Sequence, residues 1–574
     1  MFVTLKERLE KELQGKLSVW WRQSGQEGES PVLSLEESKS PEHGDFACTL
    51  ALALAKPLKK NPREIATTLQ EVFSDGGGLL DKTEIAGPGF LNLFVKPAAW
   101  HDTLFDILKT GPDFMRSNAG QGEKILLEFV SANPTGPLHI AHGRGAVVGD
   151  VLAALLNMAG YDAKREYYVN DLGNQIDTMA RSVYFRYAEL YGQADAQPEE
   201  FYPGEYVIDL AKSIQDEFKE EFLGQAESLW LEVFAKRGVA LMLERIREDL
   251  ATFGIVFDHF QSERQLAEEN PLVDLVADLE KRGIVFEEDG KKWFRTTDFG
   301  DDKDRVVLRE DGRTTYFTSD IAYHKIKFER GAQRLINIFG ADHGGYVTRV
   351  KAGIAAMGYA ADALDCILVQ MVSLSRGGEA VRMGKRAGNA IWLRDVLDEV
   401  GKDAIRYHFI MRRADAQMDF DLELATKKSL DNPVYYAQMG HARLCAIRRK
   451  ALTEKVELPS IARKHLNALL LPEELGLIKT LSKAPEVIVE AAKTYEPHKV
   501  VYFLQDLIAL FHSYYSRYKA QERVISDDQD KTKARLLLCQ ALEVSLKRLL
   551  EVLGVSAPEE MYLSDVEEGG ELSQ

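Results

Sequence analysis

A chain of 574 residues is too long for one hydrophobic core; at roughly 150 residues per domain it should hold about three or four. Its 45% hydrophobic and 28% charged content is ordinary for a soluble globular protein, and no apolar run reaches the ~20 residues of a membrane span. A formal charge of −18 excludes indiscriminate nucleic-acid binding, because phosphate contacts need local positive potential; an RNA held on restricted basic patches remains open.

The first twenty residues interleave charge throughout, which reads as an amphipathic helix and not a signal peptide, so a cytoplasmic protein is expected. The loop SPEHGDFA (40–47) follows, then helices through Phe73. The turn Asp75-Gly76-Gly77-Gly78 breaks that pattern, and EIAGPGFLNLFV reads as a short, turn-bounded strand pair. Residues 1–110 are therefore expected to form an α+β unit of their own.

From residue 124 the pattern becomes strand–helix–strand. KILLEFV is an apolar run that ends in the Pro/Gly loop SANPTGP, and His142 to Gly160 reads as a helix covered on more than one side. Val147, Val151 and Leu155 lie on one stripe and Val148, Leu152 and Leu156 on another, with Gly160 as a natural stop. AKREYYV is the next strand, giving a βαβ unit and a doubly wound parallel sheet of the Rossmann type over 120–395. RLINIFGAD (334–342) and CILVQMV (366–372) are further strands, separated by the helical TRVKAGIAAMG. Residues 180–285 are strongly charged and mostly helical, as suits an insertion, and 396–574 reads as an all-helical bundle with an acidic tail. Cys48, Cys366, Cys445 and Cys539 lie far apart with no CxxC pair, which argues for buried free thiols over a zinc ribbon or disulfides.

Two segments carry chemistry. In PLHIAHGRG (137–145) two histidines three apart bracket a helix entrance that follows a strand. Helix N-termini present free N–H groups and partial positive charge, which suits nucleotide phosphates, and Gly143 lets a ligand approach the backbone. HxxH alone is equally explained by capping histidines, and no third ligand follows in the HExxH manner. In VRMGKRAGN (381–389), Arg382, Lys385 and Arg386 sit among Gly384 and Gly388. Such a loop can carry an ammonium onto triphosphate oxygens, or it is a solvated basic turn.

HIAHG and RMGKR resemble the HIGH and KMSKS signatures of class I aminoacyl-tRNA synthetases. EFVSANPTGPLHIAHGRGAVVGD, YYVNDLGNQI (167–176), the Tyr316–Asp320 segment and GADHGGY (340–346) together resemble the bacterial arginyl-tRNA synthetases. The resemblance runs nearly end to end. SPEHGDFA and AGPGFLNLFV are similar to that family's N-terminal domain, and NPVYYAQMGHAR and FHSYYSRY to its helical anticodon-binding domain. Ala141 replaces the Gly of the first signature; in the second, Arg382 replaces the leading Lys and Gly384 the Ser, while Lys385 keeps the second lysine position.

The resemblance implies that arginine's carboxylate attacks the α-phosphate of ATP, releasing pyrophosphate, and that the terminal ribose hydroxyl of a tRNA then takes the arginyl group. It implies His139, His142 and Lys385 as the catalytic residues, with Gly143, Met383 and Arg386 completing the ATP site and Mg2+ accompanying ATP. It assigns the arginine guanidinium to Glu128, Tyr316 and Asp320, and the backbone groups of arginine to Asn133 and His139, with Asp342 a further candidate near the amino group. A guanidinium is planar and always charged, so carboxylates in fork geometry suit it. A site built on charged hydrogen bonds rejects analogues lacking them by about 10⁴–10⁵ without editing, in keeping with the lack of a strand-rich module in 180–285.

The tRNA surface is expected on HARLCAIRRK (441–450) and HSYYSRYKAQER (512–523), where aromatics interleave with basic residues, and on the N-terminal unit, where His43 and Phe46 can equally be structural. The expected state is a monomer without a protein-ligated metal and without a membrane partner. An adenylylating ligase for a small metabolite would not need the basic helical bundle. A non-catalytic RNA-binding relative would be expected to lack His139, His142 or Lys385, and all three are present.

Overall fold

Thr4 and Glu7 form a reciprocal cap at the start of the first helix, Leu5–Gln23: the Thr4 hydroxyl accepts the Glu7 N–H at 3.2 Å and the Glu7 carboxylate accepts the Thr4 N–H at 2.8 Å. Leu5, Leu9, Leu13, Leu17 and Trp21 recur every four residues and are buried as one stripe. They share a core with a four-stranded antiparallel sheet in the order Leu35–Glu37, Phe46–Cys48, Phe90–Val95, Leu80–Ala86. The expected loop 40–47 thus ends inside a strand, where Phe46 stacks on Trp100 with ring centroids 6.3 Å apart. This computed structural model describes residues 2–38, 40–193, 196–269, 272–381, 391–518 and 522–562.

The central sheet is fully parallel. Its strands, in chain order, are β1 (Lys124–Glu128), β2 (Asp162–Val169), β3 (His259–Ser262), β4 (Arg334–Gly340) and β5 (Leu364–Val369). They lie in the order β5-β4-β1-β2-β3. β1 and β4 are neighbours although a long stretch of chain separates them, so a crevice opens at their carboxyl ends, where such sheets bind ligands. Helix α1 (Ile140–Met158) joins β1 to β2 and is buried along most of its length, as its two apolar stripes require. Gly160 ends it at φ +90°, where a Cβ would lie 2.7 Å from Asn118 Cα. Helix α2 (Tyr316–Glu329) precedes β4, and α3 (Gly344–Ala356) links β4 to β5.

The stretch 180–285 is helical apart from one element. β3, with sequence HFQS, extends the parallel sheet beside β2. Its four residues show too little alternation to be read as a strand. Just beyond, Val285–Glu288, Lys291–Phe294 and Arg305–Leu308 form a small antiparallel sheet. The region from 396 is not helical throughout either: Met418–Asp421 pairs in parallel with Val372–Arg376, with Met418 and Phe420 turned inward. The bundle proper includes α4 (Pro433–Thr453), α5 (His498–Tyr518) and α6 (Gln529–Val552). All four cysteines are free, three of them buried and Cys366 half-buried. No helix among the described residues is long and apolar enough to cross a membrane.

Candidate active site at the carboxyl ends of the parallel strands

β1 delivers Glu128 to the crevice, and the chain then turns through Val130 at φ 68° and Ser131 at φ 41°. Left-handed backbone at non-glycine residues costs about 1–3 kcal/mol and persists only where its surroundings fix it. Here the turn brings the Ser131 hydroxyl back to donate to Glu128 Oε1 at 3.2 Å and to accept the Tyr168 N–H at 3.1 Å.

His139 caps α1 and His142 lies in its first turn. Their rings stack at 3.7 Å between centroids, and the His139 N–H donates to His142 Nδ1 at 3.3 Å. An accepting Nδ1 leaves the proton of neutral His142 on Nε2, free to donate outward. Burial, and then the neighbouring His139, pushes His142 down to about 3; burial also lowers His139. Both rings are therefore neutral near pH 7. Gly143 is buried, and a Cβ there would come within 3.1 Å of Phe409 and 3.2 Å of Leu393, so helix packing already calls for a glycine. The Arg144 guanidinium is also structural: it is fully buried and donates to the carbonyls of Gln370, Arg413 and Ala416.

Met383, Lys385 and Arg386 lie outside the described residues. The chain on either side of them is tied down. Val381 N–H donates to Leu374 at 2.9 Å; beyond the segment, Ile391 accepts from Ile140 at 3.0 Å and Leu393 donates to Leu138 at 2.8 Å. His139 and Trp392 form an isolated antiparallel bridge between these contacts. The basic segment therefore leaves off beside the first signature.

Tyr316 opens α2 and is 73% exposed, with its hydroxyl toward Gly173 in the loop after β2. One turn on, Asp320 lines the crevice. Burial first, then the charges of Glu128 and Glu263, pushes its carboxyl up to about 8, and among the described residues no side chain hydrogen-bonds to it. Glu128 contrasts with it. Burial pushes Glu128 up, but the Lys327 ammonium against its Oε2 outweighs burial and holds the carboxyl below its usual value. Asn133 is on the rim, donating to Gln175 at 2.7 Å and accepting from Asn170 at 3.1 Å. Asp342 sits on the turn after β4, mostly exposed and 3.7 Å from His343. The structure thus brings Glu128 and Asp320 within electrostatic reach of one another and stacks His139 on His142 at the helix entrance, with Tyr316, Asn133 and Asp342 more open to solvent.

Three buried polar residues beneath this wall escaped sequence reading. Lys327 and His324 occupy the Asp320 face of α2, seven and four residues on, and Asn337 lies opposite Glu128 in the β1–β4 register. Asn337 in the apolar strand RLINIFG was the available signal, since a buried amide needs partners. A further acid, Glu263, lies near Asp320 and is raised to about 7 by burial and then by Asp171.

The RNA segments divide between core and surface. Tyr514 is buried and donates to Glu474 at 3.2 Å, and His441 and Cys445 are interior. Lys450 is exposed, and with Tyr515, Tyr518 and Arg523 it borders a cavity of about 680 Å³ on the bundle. In the N-terminal unit Phe46 is core and His43 is exposed.

Three family models cover nearly all of the chain. Residues 4–95 match the arginyl tRNA synthetase N terminal domain, 104–446 the class I (R) tRNA synthetase catalytic domain and 437–561 the DALR anticodon binding domain. An arginine--tRNA ligase of Syntrophotalea carbinolica is 48% identical over 534 residues, covering 93% of this chain and 96% of that protein. One from Citrifermentans bemidjiense is 46% identical with the same coverage of both chains. The solved Thermus thermophilus arginyl-tRNA synthetase shares the fold at a TM-score of 0.73 with 22% identity, over 97% of this chain and 100% of that one. With its parallel sheet, its paired histidines at a helix entrance and these matches along its length, the chain belongs to the arginyl-tRNA synthetases of class I.

Proposed function

We propose that this pocket activates L-arginine with ATP and passes the arginyl group to the terminal ribose hydroxyl of its tRNA, for use in protein synthesis. ATP is a substrate, as throughout class I. The observation that carries the amino-acid assignment is Asp320: a carboxyl in the crevice beside ionised Glu128 that, among the described residues, forms no ion pair, only the more distant fields of Lys327 and Arg349 reaching it. A guanidinium supplies the missing charge and enough N–H groups to address both carboxylates.

In this reading Glu128 and Asp320 grip the guanidinium, Tyr316 closes over it from the first turn of α2, and Asn133, His139 and Asp342 address the carboxylate and amino group. The arginine carboxylate attacks the α-phosphorus of ATP while the bond to pyrophosphate breaks. His142 donates from Nε2 to the phosphate oxygens, His139 assists, and Lys385 neutralises the leaving pyrophosphate, with Gly143, Met383 and Arg386 lining the nucleotide. The task is positioning and charge stabilisation, with little covalent participation by the protein. Mg2+ enters with ATP, bound to its phosphates. The tRNA is read by the helical bundle (396–574) and touched by the N-terminal unit (1–110), and the enzyme works as a cytoplasmic monomer.

ATP–pyrophosphate exchange with each amino acid in turn, with and without tRNA, tests the assignment. Exchange that requires arginine supports it; exchange driven by lysine, or by no amino acid, overturns it.

A further inference from the structure

Lys327 is a buried ammonium, 1% exposed at its side chain, among acids. It donates to Glu128 Oε2, reaches Asn337 Oδ1 at 3.5 Å and lies 4.1 Å from the centre of the Tyr323 ring. Asn337 in turn donates from Nδ2 to His324 Nε2 at 2.8 Å, and His324 Nδ1 donates to the Asp320 carbonyl at 2.7 Å. This fixes His324 as the neutral Nδ1–H tautomer and leaves Lys327 as the cation seated on Glu128.

An ionised carboxylate only accepts hydrogen bonds, whereas a protonated one also donates. We propose that Lys327 determines specificity without touching arginine: by keeping Glu128 an acceptor-only carboxylate, it leaves Asp320 as the one acid of the pair able to donate, so that a ureido carbonyl oxygen turned toward Glu128 faces an oxygen that cannot donate and is rejected there. The inference rests on the reading of Glu128 and Asp320 as the guanidinium pair. Without Lys327 the buried Glu128 is left unpaired and takes up a proton, because desolvation of an acid favours its neutral form. Glu128 can then donate to a ureido oxygen and grips a guanidinium less well.

The charged surroundings support this assignment of roles. On α2, His324 is neutral, pushed down to about 4 by burial, and Asp320 is the pocket's other acid. On β2, Glu166 is already matched by Arg330 and by the Tyr323 hydroxyl at 2.5 Å. Tyr168 and Cys366 are both pushed up by burial and stay neutral. Lys327 is therefore the cation that sets the state of Glu128 in the empty pocket.

The test uses the full-length enzyme with tRNA, measuring KM and kcat for arginine in pyrophosphate exchange and the inhibition constant of citrulline, the ureido isostere. The expected result is that Lys327→Met lowers the ratio of citrulline inhibition constant to arginine KM by about tenfold or more, the scale of an unpaired buried polar contact. The variant's arginine kcat/KM also gains a second proton-linked rise with pH, beyond the one that Asp320 gives the parent, as Glu128 ionises, and Lys327→Arg restores both the ratio and the parent profile. An unchanged ratio, or equal losses for both ligands with an unaltered pH profile, makes Lys327 a structural residue and overturns the inference. If Lys327→Met does not fold, Glu128→Gln carries the test, because a permanent donor at that position must lower the same ratio. Asp320→Asn separates the two levels: arginine use that survives it defeats the pocket assignment, whatever Lys327 does.

Discussion

The amide of Leu393 donates to the carbonyl of Leu138 at 2.8 Å, one residue before the first histidine of the signature. With Ile140 donating to Ile391 at 3.0 Å, the chain leaving the basic segment runs as a short ladder beside the turn that positions His139 and His142. In the proposed mechanism, this ladder ties the chain that follows the basic segment to the backbone carrying the two histidines. Proline at 393 removes the Leu138 contact; Leu393→Ala, which keeps that amide but likewise loses the buried side chain packed beside Gly143, is its control. Leu393→Pro is expected to slow adenylation more than it weakens ATP binding, because positioning is lost and the donors are kept. Equal changes in both would show that the ladder serves folding alone.

In the proposed mechanism, His142→Ala and Lys385→Ala each remove one donor to the phosphates, and loss of such a donor typically costs about 10²–10³ in rate. Single-turnover adenylation, with arginine and ATP saturating, is the measurement, and an unchanged rate in both variants would sink their roles. Because burial lowers both histidines and holds His142 down to about 3, protonation of His142 should not cut that rate as pH falls from about 8 to about 6, where an ordinary histidine takes up its proton. A loss of rate centred near the usual histidine value would contradict the neutral pair.

On the proposed reading, Asp320 makes arginine binding proton-linked. Its carboxyl titrates at about 8 in the empty pocket, so near pH 7 it is mostly protonated and must lose its proton when a guanidinium arrives. Calorimetry in two buffers of different ionisation heat should show release of about one proton per arginine near pH 7, fading as pH passes about 8. For stability the sign is opposite to that of a salt-bridged acid. The folded state binds more protons than the unfolded state between the ordinary aspartate value of 3.8 and about 8, so stability falls as pH rises through that window. Asp320→Asn should therefore melt higher than the parent above about pH 8, and nearly together with it below about pH 4, while losing arginine activation. Proton-independent binding, or a variant that melts lower at high pH, would contradict this account.

The sheet was legible because β1, α1 and β2 follow one another with strong patterns: KILLE, a helix with two apolar stripes, then a β-rich run. Glu128 could be named because it carries a charge among the apolar residues of LLEFV, whereas Asp320 in TTYFTSDIAYHK was named by its four-residue spacing from Tyr316 and by the family resemblance. β3 could not, since HFQS takes its strand character from β2 and not from its own alternation. Lys327, His324 and Asn337 were hidden for a different reason. Each looks ordinary locally, and only the pairing of β4 with β1 and the packing of α2 bring them under Glu128. Arg144 likewise reads as a surface cation in HIAHGRG until the carbonyls it meets, more than two hundred residues away in sequence, are seen around it.

Arg406 ties three remote segments together from a position with no exposed surface. It donates to Asp150 on α1, to the Phe253 carbonyl at 3.2 Å and to the Leu553 carbonyl, just past the end of α6, at 3.0 Å. Removing one partner of a buried charged pair typically costs about 3–5 kcal/mol, so Arg406→Met should lower the melting temperature clearly; Arg165, 2.9 Å from Asp150, keeps the loss from being larger. Gly554 reports on the same junction. It has φ +68°, and a Cβ there would lie 2.1 Å from Arg406 Nη2. Gly554→Ala therefore destabilises in two ways, by backbone strain and by displacing the guanidinium. In the Arg406→Met background the second cause is absent, so the two substitutions should be strongly non-additive, with the double variant less destabilised than the sum of the singles. Calorimetric melts of the four proteins measure the coupling, and strict additivity would mean that Gly554 acts through its backbone alone.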